Sequence, residues 1–426
     1  MIQEFNHIET VNGQLSLPGD KSISHRALIF SALAKGKSII SNLSSAQDVN
    51  STQEILHNCG IHFTSEQSKI LVFGKGIWGL NRPQKILYAG NSGTTARLLS
   101  GLLPMQKFDS VISGDESLSK RPMKRVSQPL IKMGAKITLT DDNYLPLQIG
   151  KSNNLKAISY ELDIPSAQVK SAILIAGLFL EDETQVIENV DTRNHTEVML
   201  SLPVKKNDHQ TIISSSIKYA PVPQEYFVPS DISTASFFIV LTLLLKNSSL
   251  LIKNCSLNPS RTGILKVLKQ MGANIEILNN FISSGEVYGD ILVKSSNLVN
   301  IEIDSNIIPN IIDEIPILTI AGIFADGNFK INGAKELRVK ESDRIKSIVT
   351  NIQKLGLNIE EHEDGFSVFG NIQNKSVLFE SFGDHRIAMA FSILSLILEQ
   401  GGKINNFECI KISNPQFIEQ LNQIIG

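Results

Sequence analysis

The sequence predicts an α/β protein of two similar lobes, each made of three copies of one α/β unit. Three observations carry that prediction. Stretches that open on polar residues and continue as apolar helices recur roughly every 65 to 85 residues, the period of a repeated supersecondary unit. Helix-like runs that end on glycine and turn into strand-like runs recur among them. The chain has 426 residues and is 42% hydrophobic, enough to bury a core in each of two domains.

The polar-opening stretches are, in chain order, GDKSISHRALIFSALA, AGNSGTTARLLSGLL, IPSAQVKSAILIAGLF, VPSDISTASFFIVLTLLL, IIDEIPILTIAGIFA and FGDHRIAMAFSILSLIL. Ser, Asp and Asn at such openings suit N-caps, and bodies that are apolar all round suit helices buried inside a domain. The glycine-ended runs are LHNCGIHF at Gly60, LIKMGAKI at Gly134, LKQMGANI at Gly272 and IQKLGLNI at Gly356. Glycine takes the left-handed conformation that closes a helix, so each predicts a helix, a turn and a strand. The polar stretch KKNDHQTIISSSIKYAPVPQ predicts a hairpin or loop.

A formal net charge of -2 argues against a general nucleic-acid or membrane-surface binder, so an anion site must be local. Cys59, Cys255 and Cys409 lie far apart with no CxxC pair, which fits a reducing compartment better than a disulfide framework or a zinc knuckle. MIQEFNHIET has neither the basic nor the apolar region of a signal peptide, and the apolar run near ASFFIVLTLLL is too short to span a bilayer. A cytoplasmic protein is the expectation.

Chemistry should gather at the polar helix openings, because helix N-termini present unpaired N–H groups and the positive end of the dipole. GDKSISHR sets Lys21, Ser22 and Arg26 at one opening, a composition suited to an anion although it lacks the full Walker A pattern. AGNSGTTAR offers Asn91, Gly93 and Thr94 ahead of Arg97, and glycine there lets backbone N–H groups approach a ligand. SKRPMKR contributes Arg121, and GDHRIAMAF contributes Asp384, His385 and Arg386. IIDEIP adds Asp313 and Glu314, which could cap a helix or serve as a general base. In ELRVKESDR, read as a helix, Glu336 pairs with Lys340 at i,i+4, but Lys340 and Arg344 stack two cations on one face. A face built only to satisfy itself avoids that arrangement.

Taken together, LPGDKSISHRA, AGNSGTTAR, SKRP, SAQVKSA, RVKESDR and GDHRIAM resemble the 5-enolpyruvylshikimate 3-phosphate synthase family, in family order and over essentially the whole chain. The resemblance implies an inside-out α/β barrel in each lobe, with parallel buried helices, residues 1–20 plus 235–426 forming one lobe and 21–234 the other, and the active site in the cleft between them. It implies transfer of the enolpyruvyl group of phosphoenolpyruvate to the 5-hydroxyl of shikimate 3-phosphate, with no metal or organic cofactor, no nucleic acid and no membrane. A monomer is expected. By motif, Lys21, Ser22, Arg26, Ser166, Gln168, Asp313 and Lys340 would hold shikimate 3-phosphate. Lys21, Gly93, Arg121, Gln168, Arg344 and Arg386 would hold phosphoenolpyruvate. Asp313, Glu341 and Lys21 would move protons, and Asn91, Thr94, His385, Thr192 and Arg193 are further candidate contacts. Gly93 goes with sensitivity to glyphosate in this family.

The match departs from the family in four places. Glu336-Leu337 stands where some members have Asn, and Ala167 replaces a second serine. Ile412 stands where some members have a lysine, with Lys411 one residue off, and DTRNHTE, which holds Thr192, Arg193 and His195, matches loosely. A sister transferase acting on UDP-N-acetylglucosamine would carry a loop cysteine, which SGDESLSKRP lacks, and Asn where Ser22 stands. A non-catalytic phosphometabolite scaffold would not need Asp313, Glu341 and Lys21 together.

Overall fold

A computed structural model describes residues 1–373 and 377–425. The chain divides into two compact units: Met1–Pro18, Pro229–Phe281 and Val287–Gly426 form the first, and Gly19–Val228 with Ile282–Glu286 the second. The crossings fall a few residues ahead of the positions expected from sequence. The return of Ile282–Glu286 to the second unit has no counterpart in that expectation.

Among the described residues each unit holds three sheets and three inner helices. The inner helices of the second unit are Lys21–Leu33, Gly93–Leu102 and Ala167–Gly177. Those of the first are Ile232–Leu244, Ile315–Phe324 and His385–Ile397. All six coincide with the predicted stretches. In Ile232–Leu244 every residue through Leu243 is buried, and the Phe and Leu side chains there contribute about 1.5–3 kcal/mol each to their unit's core. The inner helices pack on one another within each unit. At Gly101 an added Cβ would lie 2.2 Å from the Ala172 carbonyl oxygen, so only glycine allows Gly93–Leu102 and Ala167–Gly177 to approach this closely.

The sheets cover the helices by a repeated plan. Leu87–Tyr88 pairs in parallel with Ser110–Ser113 across the inner helix Gly93–Leu102, a crossover that parallel strands require. Antiparallel strands Tyr144–Gly150 and Lys136–Thr140 complete that sheet. Two strands trade places: Asn12–Ser16 precedes helix Lys21–Leu33 but pairs with Ser249–Ser256, and Glu225–Phe227 precedes Ile232–Leu244 but pairs with Lys35–Ser41. The exchange occurs where the chain crosses between units.

Gly60, Gly134, Gly272 and Gly356 all have positive φ, and each follows an outer helix and leads into a strand. Each donates its N–H three residues back, to the carbonyls of His57, Ile131, Lys269 and Gln353 at 2.8–3.1 Å. Helix His195–Leu200 closes in the same left-handed way on Ser201, a residue that gives no such signal in sequence. The polar stretch near 205–224 contains the antiparallel pair Val204–Lys206 and Thr211–Ser215, as expected. All three cysteines are free and buried.

Among the described residues no single helix is long and apolar enough to cross a membrane. The bent pair Ser305–Ile311 and Ile315–Phe324 passes by composition, but Ile315–Gly322 are buried in the first unit's core.

Candidate active site

The candidate residues fall into two clusters, one in each unit. In the second unit Asp20, Ser92 and Ser166 cap the three inner helices, accepting from the N–H groups of Ile23 at 2.9 Å, Thr95 at 3.1 Å and Val169 at 3.4 Å. Capping fixes the first turns, and those turns carry Lys21, Ser22, Gly93, Thr94 and Gln168.

Lys21 Nζ is 2.8 Å from Asp48 Oδ2. Arg26 is buried and donates to Thr196 Oγ1 at 2.8 Å, the Ser22 carbonyl at 2.9 Å and Ser171 Oγ at 2.6 Å. Burial lowers its pKa to about 10, with the charges of Glu197, Asp20 and Glu286 opposing the shift. The group therefore remains a cation at neutral pH, held rigidly from three sides.

At the second opening Gln168 donates to Thr94 Oγ1 at 2.9 Å and accepts from Arg97 Nη1 at 2.6 Å, joining two inner helices. Arg121 donates to Asn91 Oδ1 at 2.6 Å, and Asn91 donates to Asp115 at 2.7 Å. Asn91, Thr94, Gln168 and Arg121 thus gather around the same opening as Arg97. The family motifs assign Arg97 no substrate, although it sits at this opening. Its signal was available, since it lies one helical turn after Gly93 on the same face.

Thr192 belongs to a buried network of the same unit. Its hydroxyl donates to Glu188, and its carbonyl accepts from Lys170 at 3.4 Å. Lys170 Nζ lies 2.7 Å from both Glu188 and Glu197, and all three are buried. Burial disfavours the ammonium, but the two carboxylates hold its pKa above the ordinary lysine value. His195 Nδ1 lies 2.7 Å from Glu286 Oε1, so the returning segment Ile282–Glu286 supplies a buried partner. Lys170→Met is expected to destabilise the protein by about 3–5 kcal/mol, because it strands two buried carboxylates. Denaturant titration reads the loss, and adding Glu188→Gln and Glu197→Gln should recover most of it.

The first unit's cluster centres on Arg344, which is 1% exposed. Its Nε donates to Asp384 Oδ2 at 2.7 Å, Nη1 to Asp313 Oδ1 at 3.1 Å and Nη2 to Glu341 Oε2 at 2.6 Å. Burial works against its charge, yet Asp384, Glu341 and Asp313 together raise its pKa above the ordinary arginine value. Arg386 donates to the Asp313 carbonyl at 3.0 Å, and its backbone N–H donates to the capping Asp384 at 2.9 Å. His385 is buried at the start of the same helix.

One local expectation fails here, and one of two alternatives drops out. ELRVKESDR is not one helix: a short 3-10 turn, Lys335–Val339, ends at Lys340 in an extended conformation, and a new helix, Arg344–Gln353, starts on an Asp343 cap. Lys340 and Arg344 are therefore not stacked on one helical face, and Lys340 lies outside both elements. Asp313 and Glu314 do not cap Ile315–Phe324 through their side chains. Pro316 in the first turn removes one N–H that a cap would serve, which leaves Asp313 for Arg344. Arg338 bonds Asp343 and Glu361, each at 2.9 Å, a structural role.

Two clusters of guanidinium, ammonium, carboxylate and helix-start N–H groups are what two multiply anionic substrates and a proton transfer would use. A family model described as EPSP synthase (3-phosphoshikimate 1-carboxyvinyltransferase) matches residues 5–421. The chain belongs to the EPSP synthase family. A 3-phosphoshikimate 1-carboxyvinyltransferase of Petrotoga mobilis is 47% identical over 427 residues, covering 99% of each chain. That of Bacillus subtilis is 43% identical over 420 residues, covering 98% of each. The solved EPSP synthase of Acinetobacter baumannii matches with a TM-score of 0.86 and 38% identity, over 99% of this chain and 97% of that one. As an EPSP synthase family member the chain is an enzyme of the enolpyruvyl transferase fold; four of the family's motifs sit at polar openings of inner helices, while SKRP and RVKESDR lie on outer segments.

Proposed function

We propose that the chain transfers the enolpyruvyl group of phosphoenolpyruvate to the 5-hydroxyl of shikimate 3-phosphate. The observation that carries the reading is the placement of Asp313 and Glu341 on one buried guanidinium, Arg344. A reaction that takes a proton from a hydroxyl and gives one to a carbon needs one group to accept a proton and one to deliver it, held close together.

The steps balance as addition and elimination. Asp313 takes the proton of the 5-hydroxyl as that oxygen bonds to C2 of phosphoenolpyruvate, and a proton delivered through Glu341 converts the methylene to a methyl group. Glu341 then takes back a methyl proton, restoring the double bond as the C2–O bond to phosphate breaks, and the proton held by Asp313 passes to the departing phosphate. Phosphate and the enol ether leave. Lys21, Ser22, Arg26, Ser166, Gln168 and Lys340 hold shikimate 3-phosphate. Lys21, Gln168, Arg121, Arg344 and Arg386 hold phosphoenolpyruvate, with Gly93 leaving room beside it. Lys21 exchanges its Asp48 partner for the transferring oxygen. A cytoplasmic monomer completes the reading, and sedimentation at micromolar concentration checks the copy number.

Phosphate release from phosphoenolpyruvate with shikimate 3-phosphate as acceptor, and none with UDP-N-acetylglucosamine, is the expected outcome of a direct assay. Release with the nucleotide sugar alone would reverse the substrate assignment.

Gly93→Ala tests the steric part. A Cβ there would lie 2.9 Å from Arg97 Nη1 and 3.6 Å from Arg121 Nη1. These are ends of long side chains, so the fold should survive while Arg97 shifts off Gln168. One added methyl in a tight pocket changes discrimination by roughly 10- to 200-fold. The KM for phosphoenolpyruvate is expected to rise and glyphosate inhibition to weaken within that range. Unchanged inhibition with an unchanged KM would remove Gly93 from the pocket.

A further inference from the structure

Arg261 and Arg344 are the two largest fully buried side chains among the described residues, and they hold equivalent places in successive repeats. Each lies at or just before the start of an outer helix, Gly263–Gln270 for Arg261 and Arg344–Gln353 for Arg344. Arg261 follows Asp231, at the opening of one inner helix, at the same spacing as Arg344 follows Glu314 at the opening of the next. The sequence motifs give Arg344 a substrate to hold and give Arg261 none.

The contacts of Arg261 lead towards Arg386. Arg261 Nη2 donates to Ser233 Oγ at 2.6 Å and lies 3.4 Å from Asp231 Oδ1. Ser233 Oγ in turn donates to Glu314 Oε1. That same carboxylate oxygen is 3.8 Å from Arg386 Nη1, beyond hydrogen-bond reach, while Arg386 Nη1 donates to the Asp313 carbonyl at 3.0 Å. Arg261, Ser233 and Glu314 are all buried, so water does not screen the pull of Glu314 on either guanidinium.

We propose that Arg261 is a positioning residue: acting through Ser233, it holds Glu314 from behind, so that Arg386 stays off that carboxylate and keeps its N–H groups for an anionic substrate. The inference rests on the reading that Arg386 binds phosphoenolpyruvate. Without Arg261, only the neutral Ser233 hydroxyl remains on Glu314 beside Arg386, whose guanidinium then carries the ionic part of the pull. That guanidinium closes onto Glu314 and leaves the substrate position.

Three variants of the full chain, Arg261→Met, Arg261→Met/Glu314→Gln and Ser233→Ala, test the proposal by steady-state kinetics with each substrate varied, alongside thermal melts. Arg261→Met is expected to raise the KM for phosphoenolpyruvate about tenfold while the KM for shikimate 3-phosphate stays within about twofold. Adding Glu314→Gln removes the competing charge, and the KM for phosphoenolpyruvate should return to within about threefold of the parent. Ser233→Ala cuts the bridge and should move the same KM in the same direction, which keeps the test open if Arg261→Met does not fold. A folded Arg261→Met with both KM values unchanged, a double variant no better than the single one, or an unaltered Ser233→Ala overturns the proposal. If the parent enzyme itself releases no phosphate from the two substrates, the functional reading fails instead.

Discussion

Arg344→Met is expected to cost at least about 100- to 1,000-fold in kcat/KM, the loss that follows when a preorganised donor to developing charge is removed. The structure makes the loss double. The guanidinium is the cation that three carboxylates share, and Asp384 among them is fully buried. Removing it leaves those charges to repel one another, so Asp313 and Glu341 move apart or take up protons. Breaking a buried pair by deleting one partner destabilises by about 3–5 kcal/mol, and denaturant titration should read a loss of that size. Arg344→Lys keeps a charge but not the fork that reaches three acceptors in fixed directions, so it should recover part of the stability and little of the rate. Near-normal turnover in a folded Arg344→Met would remove this side chain from the chemistry.

Asp313→Asn and Glu341→Gln are expected to lower kcat by about 100- to 10,000-fold each, the usual contribution of a positioned acid or base. Both are close to isosteric and keep one oxygen for Arg344, so the fold and the KM values should change little. They should differ in one readout. Asp313→Asn disables deprotonation of the hydroxyl and should slow turnover without preventing substrate binding, whereas Glu341→Gln should suppress exchange of solvent deuterium into the methylene group. If each kept near-normal turnover with intact binding, the proton assignments would have to be abandoned.

Much of the frame is legible in the sequence, because the residues that define it act locally. Asp20, Ser92, Ser166, Asp231 and Asp384 cap helices within a few residues of themselves. The four helix-closing glycines likewise answer to their own turn. The pairings within the site are a different matter. Arg344 takes Glu341 from its own stretch, three residues back, but it gathers Asp313 and Asp384 from two segments that spacing cannot join, and the break at Lys340 replaces the single charged helix that a continuous reading would draw. Asp48 on Lys21, Arg97 on Gln168 and Arg261 behind Glu314 are tertiary partners, which local spacing does not pair until the fold brings them near. The return of Ile282–Glu286 to the second unit escaped for the same reason: Glu286 has no local pattern that announces His195.

The most direct test of the central claim is to incubate the purified chain with carbon-labelled phosphoenolpyruvate and shikimate 3-phosphate and follow carbon and phosphorus by NMR. The prediction is one enol ether formed at the 5-oxygen for each phosphate released, with no release when either substrate is omitted. Phosphate appearing without the enol ether, or no reaction from a fully folded chain, would contradict it.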